Sequence, residues 1–266
     1  MKKVSSFRRE LFLRRLIMAG FIMIPVVIIS AVCFFIYRSP SLRISSVEVS
    51  GNIAVTDEEI LSVAHEMADG SFWSGILGGD HMFSWRRFSG DGLKDRIFRL
   101  ANASSKIDDE RRLVISVSER EETIIWCLAP SVEGDPKNCF WVDGEGNIFA
   151  PGPDAEGALV RVVNDGTGRS LNIKDAPLSG SDMENFIKVS DMISEFGWVV
   201  SDITLSDVES KEMRFKLPSG QELYFSLATD PSFGEPIVRS LMDSGEWQRV
   251  QYLDLRVEGK GFYKLN

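Results

Sequence analysis

From Leu16 to Tyr37 the chain runs through 22 positions without a charged side chain, and every later apolar stretch is short. Roughly 20 apolar residues cover a hydrocarbon core about 30 Å thick, whereas a secretory signal has an apolar stretch of only about 7–15 residues. No small-x-small cleavage site follows the run. The pattern therefore predicts an uncleaved transmembrane helix over 16–37, kinked at Pro25.

Beyond the run the periods shorten. Ile44, Ser46 and Glu48 alternate against Ser45, Val47 and Val49, which predicts a strand ending in a turn at Gly51-Asn52, residues that tolerate positive φ. Thr56-Asp-Glu-Glu59 has the spacing of a capping box, and Ile60, Leu61, Ala64, Met67 and Ala68 recur at helical spacing behind it. A glycine-rich loop (Gly70, Gly75, Gly78, Gly79) leads to Met82-Phe-Ser-Trp85. A second helical set follows at Leu93, Ile97, Phe98 and Leu100, then strands, of which Arg112–Ser118 carries Leu113, Ile115 and Val117 on one face. Strand, helix, helix, strands make a small α+β unit with its helices on one face of a short sheet.

From Glu122 onward strands dominate: 123–128, 139–142 and 147–149, the last two joined by the turn Asp143-Gly-Glu-Gly146. An amphipathic helix is predicted over 181–196, a strand over 199–205, and a hairpin in which Met213, Phe215 and Leu217 face Leu223, Phe225 and Leu227 across Pro218-Ser-Gly220. A short helix over 235–244 precedes the terminal segment. The fold class read from these periods is α+β, a β-rich second part with an antiparallel sheet following the small first one.

Charge then sets orientation and excludes some partners. Lys2, Lys3, Arg8, Arg9, Arg14 and Arg15 precede the span against the single acid Glu10, so the basic tail 1–15 stays in the cytoplasm and the rest lies across the membrane. The first 37 residues carry about +5 and the remainder about −14 of the chain's −9. So acidic an ectodomain repels phosphate backbones, and nucleic-acid binding is not expected. Cys127 and Cys139 flank a Gly/Pro-containing loop on the oxidising side, where either a disulfide or two buried thiols on adjacent strands fits. Twelve positions apart, and far from His65 and His81, they match no paired metal-ligand spacing, so no metal site is expected.

Enzyme motifs are missing. Gly144-Glu-Gly146 lacks the third glycine and following helix of a dinucleotide site, Ser170-Leu-Asn-Ile173 lacks the lysine of a Ser-x-x-Lys pair, and no His-Glu-x-x-His occurs. The expectation is a non-enzyme without cofactors.

Four stretches of residues resemble one known family. Ile44-Ser-Ser-Val-Glu-Val-Ser-Gly-Asn52 with the helix behind it, and Leu113-Val-Ile-Ser-Val-Ser-Glu-Arg120, are similar to the polypeptide-transport-associated (POTRA) domain of the FtsQ/DivIB division proteins. Trp141-Val-Asp-Gly-Glu-Gly-Asn-Ile-Phe149 resembles the hairpin opening that family's β domain, and Tyr252-Leu-Asp-Leu-Arg256 resembles the signature preceding its last strand. The chain departs from the family at Asp109–Arg112, where Trp-Pro is usual, and at Glu121, where a proline is.

The resemblance implies a POTRA domain over 42–120 and an FtsQ-type β domain over 121–266. It also implies a single-pass inner-membrane scaffold at the division septum that binds FtsB-like and FtsL-like single-span coiled-coil proteins and helps recruit and regulate the septal peptidoglycan synthase complex. The partner-binding positions it implies are Arg256, Val257, Gly259, Gly261, Phe262 and Tyr263. The alternative is a POTRA-bearing envelope chaperone or secretion accessory that binds extended polypeptides along the strand edge near Val47 and Val49.

Overall fold

In the computed structural model the described residues are 3–85, 88–130, 137–155 and 160–266. The chain is α+β and forms two compact units, the first of which includes an apolar N-terminal helix, α1 (Lys3–Arg38). Within α1 the stretch Gly20–Tyr37 is long and apolar enough to cross a membrane, and the helix continues through Pro25.

The first unit comprises residues up to Ile97 together with Asn102–Ser118. Its strand β1 (Ser46–Ser50) leads to α2 (Asp57–Asp69), where the Thr56 hydroxyl accepts the Glu59 N–H at 3.2 Å, the cap that the sequence predicts. Ile60, Ala64 and Ala68 form the buried stripe of α2. The glycine-rich segment is not all loop. It contains α3 (Phe72–Leu77), because Ser71 caps the Ser74 N–H at 3.1 Å, and is followed by the single turn α4 (Met82–Trp85). Helix α5 (Gly90–Arg96) is shorter than its apolar spacing suggests: Leu100 already belongs to β2 (Leu100–Ile107). A tight turn joins β2 to β3 (Arg112–Glu119), Asp108 N–H donating to Arg112 C=O and the Asp108 carboxylate accepting from Arg112. The three-stranded sheet has the order β1-β3-β2, with β1 parallel to β3.

The second unit comprises Phe98–Ala101 and Glu119–Asn266. It is built on nine strands: β4 (Ile124–Leu128), β5 (Asn138–Val142), β6 (Ile148–Pro151), β7 (Arg161–Asp165), β8 (Asp202–Asp207), β9 (Glu212–Lys216), β10 (Glu222–Ser226), β11 (Val250–Leu255) and β12 (Phe262–Leu265). Their order is β12-β11-β10-β9-β8-β7-β4-β5-β6. The sheet is mixed and not antiparallel as the hairpin signals suggest: β4–β7, β7–β8 and β10–β11 are parallel. For β7–β8 and β10–β11 the reason is connectivity, since α6 (Gly180–Glu195) carries the chain from β7 to β8 and α7 (Gly234–Asp243) from β10 to β11, and a helical crossover returns the chain in the same direction.

Both helices cover one face of the sheet. Met183, Phe186, Val189, Met192 and Ile193 of α6 and Val238 and Leu241 of α7 pack on the inward residues of the strands. A run of rings crosses this core, Trp126 to Phe186 to Phe215 to Phe225, at centroid separations of 6.4, 6.2 and 5.7 Å. On the opposite face, β4 and β5 bury a small cluster of Ile125, Cys127 and Cys139, whose sulfurs are bonded to each other across the strand pair. Val162 of β7 packs on this cluster, while β8 to β11 present mainly polar side chains on that face, the alternation of a sheet with one helix-covered side.

Candidate interaction edge

The residues singled out near the C-terminus converge on one hairpin. β11 pairs with β10 on one side and antiparallel with β12 on the other, and β12 is the outermost strand of the nine. The register places Asp254 opposite Phe262 and Leu253 opposite Tyr263. Opposed residues share a face, so Phe262 lies on the polar face and Tyr263 on the face carrying α7. The two aromatics, 54% and 44% exposed, thus flank the free edge of β12 from opposite sides.

The turn between the strands is rigidly tied. Gly259 adopts φ +70, which glycine tolerates without strain, and Lys260 N–H closes on Val257 C=O at 3.0 Å. Val257 and Gly259 are exposed at its tip. Arg256 is committed to the sheet: its Nε and Nη2 donate to Asp254 at 2.9 and 2.6 Å, its Nη1 donates to Glu212 Oε2 at 2.7 Å, and its guanidinium lies 5.6 Å from the Tyr224 ring centre. Bonds from Asp254 first and Glu212 second hold the Arg256 pKa above its ordinary value, and the Arg256 bond holds the Asp254 carboxyl below its own. Arg256 therefore fixes the turn, leaving Phe262, Tyr263 and the strand backbone as the groups presented outward. The Tyr263 hydroxyl donates to Glu246 Oε2 at 3.1 Å, which pushes its pKa up.

Gly261 has a different duty. A Cβ there would meet Ile237 Cγ2 at 2.8 Å and Leu255 Cδ2 at 3.3 Å, so the bare backbone lets β12 approach α7. Gly261→Ala is expected to cost about 1–2 kcal/mol, the usual range for overpacking against side-chain ends that yield in part. Ile237→Val, which removes Cδ1 (3.1 Å from that Cβ) but keeps Cγ2, should recover only part of that loss, and a double-mutant cycle on urea midpoints would measure the coupling.

Two other sheet edges, β6 and β1, differ. β6 is buried over Ile148–Ala150, ends in Pro151, and has Ile148 bonded on both sides to Asp175 and Lys174, so it is closed to strand addition. Val47 and Val49 sit on β1, the edge of the three-stranded sheet, but they are half-buried and opposite the buried Leu113 and Ile115. Their side chains contribute to the first unit's core, and what β1 offers outward is backbone and the exposed Ser46, Glu48 and Ser50.

Cys127 and Cys139 leave no thiolate for a metal. Cys127, Cys139 and Asp154 bring donor atoms within 4.8 Å of one another, but both sulfurs are consumed in the bond between them. His65 is exposed on α2 and His81 is buried in the first unit.

Sequence reasoning missed Glu212, Asp254, Ile237 and Glu246, the residues that hold the hairpin in place. A signal existed for the first two: Glu212 and Arg214 alternate with core residues on β9, as Asp254 and Arg256 do at the end of β11, and opposite charges on one sheet face pair. No protein-family model and no curated protein sequence matches the chain.

Proposed function

We propose that this chain is a bitopic scaffold of the bacterial division machinery, of the FtsQ/DivIB type, whose second unit binds single-span partner proteins by strand addition at β12. The observation that carries this reading is an outermost strand at the end of a nine-stranded sheet, paired on one side with β11 and flanked by exposed Phe262 and Tyr263. Unpaired N–H and C=O groups along such an edge give affinity to an incoming extended segment, and flanking aromatics give it anchors. The order of the chain supports the same reading: basic tail, apolar helix, small α+β unit resembling a POTRA domain, then the large sheet. With the basic tail in the cytoplasm, the part of the first unit beyond α1 and all of the second lie on the far side of the membrane, where a disulfide between Cys127 and Cys139 persists. The absence of enzyme motifs fits a protein that recruits and regulates septal peptidoglycan synthesis without catalysing it.

The test is co-purification of the full chain from its native membrane, wild type against a Phe262→Ala, Tyr263→Ala double variant. Recovery of one or two small single-span coiled-coil proteins with the wild type, falling roughly tenfold or more with the variant, is the expected result, since central aromatic anchors are worth about 2 kcal/mol or more. Equal recovery would move the docking site away from β12. Finding no such partners with the wild type would favour a client-binding accessory.

A further inference from the structure

The first unit carries an apolar surface that the division reading does not use. Phe72, Trp73 and Ile76 of α3 are 68%, 43% and 49% exposed, although Leu77 of the same helix is buried. Between Asp69 and Arg86 the sequence holds one charged side chain, Asp80, and that carboxylate is paired with Arg43 at 3.2 Å. The segment is thus without net charge, and its exposed part is aromatic and aliphatic.

Its position relative to α1 says what covers it. Ile36 and Tyr37 are the last residues of the apolar stretch and so lie at the boundary between hydrocarbon and headgroups when the helix spans a bilayer. The buried His81 accepts the Phe83 N–H at Nδ1, 3.3 Å, which leaves Nε2 to donate to the Ile36 carbonyl at 3.4 Å. Directly beyond the helix, Ile44 N–H donates to Asp80 C=O at 2.8 Å, and Arg43 forms a bridge with His81. The segment is therefore pinned to the end of the span by backbone, side-chain and ionic contacts. From His81 a series of ring contacts leads outward, to Phe83 at 5.4 Å, on to Trp73 at 6.1 Å, and on to Phe72 at 5.4 Å.

We infer that α3 is a membrane paddle: Phe72, Trp73 and Ile76 insert into the headgroup region of the leaflet from which α1 emerges. Tryptophan, with an apolar body and a polar N–H, favours that layer, and an amphipathic segment buries its apolar side chains, here Phe72 and Ile76, about 5–10 Å into it. The span gives the chain one point of attachment, about which it can swivel. The paddle adds a second, holding the first unit at the membrane surface.

This inference rests on α1 spanning the membrane, and the test separates the two. The six tryptophans all lie beyond residue 72, so none is in α1, and Trp85 is buried with its Nε1 bonded to Gly79 C=O. The full chain is reconstituted into phosphatidylcholine vesicles with or without acyl-chain bromination, as wild type, Trp73→Phe and a Phe72→Ser, Ile76→Ser double variant. The fluorescence that distinguishes wild type from Trp73→Phe is expected to fall at least about twofold in brominated vesicles, and the double variant should lose most of that quenching. Resistance to alkaline carbonate extraction reports the span independently. Release at alkaline pH would overturn the span and the paddle together. Retention with an unquenched Trp73 signal would overturn the paddle alone and assign the aromatic surface to a protein partner.

Discussion

Asp165→Ala is expected to destabilise the second unit by about 3 kcal/mol, a loss large enough to deplete the folded protein at physiological temperature. The Asp165 side chain is fully buried at the end of β7 and accepts four hydrogen bonds from three neighbours: Trp126 Nε1 at 2.9 Å, Thr167 N–H at 3.1 Å, Thr167 Oγ1 at 2.6 Å and Arg169 Nε at 2.9 Å, with Arg169 Nη2 in ionic contact at 2.7 Å. Arg169 also donates to Pro177 C=O at 2.6 Å, so the same carboxylate anchors the loop before α6. Removing it leaves the indole N–H of the largest core side chain and a three-quarters-buried guanidinium without their acceptor, which is how breaking a buried pair becomes costly. Asp165→Asn keeps the volume but offers an amide where donors already converge, and should cost somewhat less.

The same group predicts a pH dependence. Burial pushes the Asp165 carboxyl up, but the bonds from Thr167, Trp126 and Arg169 outweigh it and the net pKa lies below the ordinary 3.8. A depressed folded-state pKa contributes stability that is fully present above the unfolded value and is lost as pH falls through the folded one. The gap between wild type and Asp165→Ala should therefore stay constant from about pH 7 to about pH 5 and narrow below about pH 4. Urea midpoints followed by tryptophan fluorescence of the full chain in mild detergent would measure it. A gap that widens on acidification would mean that the carboxylate destabilises the fold.

What the sequence made legible were features stored in local pattern. The 22-residue apolar run, the Thr56 cap and the hairpin pairing Met213 and Phe215 with Phe225 and Leu223 each depend on residues a few positions apart. Strand β7 was not visible, because in Arg161-Val-Val-Asn-Asp165 only Val163 and the charged Asp165 are buried, and a buried carboxylate breaks the alternation that marks a strand. Helix α3 was hidden by the glycines around it, which argue for loop while Ser71 supplies a cap. Parallel pairing was illegible for a different reason: which strands become neighbours after a helical crossover depends on packing of α6 and α7 across the whole sheet. At the candidate edge, the aromatics Phe262 and Tyr263 could be read from the last residues, but not that they face opposite ways or that Arg256 is spent on Asp254 and Glu212. Those facts depend on the register of β12, fixed by the positive-φ Gly259 and by an irregularity between Val250 and Tyr252.

Gly51→Ala is expected to cost the first unit about 2–4 kcal/mol, although the change adds one methyl group at an exposed turn. Two effects act together. Gly51 has φ +90, a conformation that costs an L side chain roughly 1–2 kcal/mol, and replacing glycine there forfeits the reason the chain can leave β1 so sharply. The added Cβ would also stand 2.1 Å from the Val117 carbonyl oxygen. That neighbour is backbone of β3, which is held in parallel register with β1 up to Ser50 opposite Ser116, so it cannot rotate aside as a side chain would, and overpacking of this kind costs about 1–3 kcal/mol. The adjacent Asn52 separates the two contributions of the turn. Its Nδ2 donates to Val55 C=O at 2.8 Å and to Asp57 Oδ1 at 2.7 Å, bonds that set the entry to α2 but involve no steric limit. Asn52→Ala should therefore cost only about 1 kcal/mol, the range for lost capping and turn bonds. If urea unfolding gave equal losses for the two variants, close approach of the β1 turn to β3 would not be what requires glycine at position 51; a clearly larger loss for Gly51→Ala would assign that requirement to the backbone of Val117.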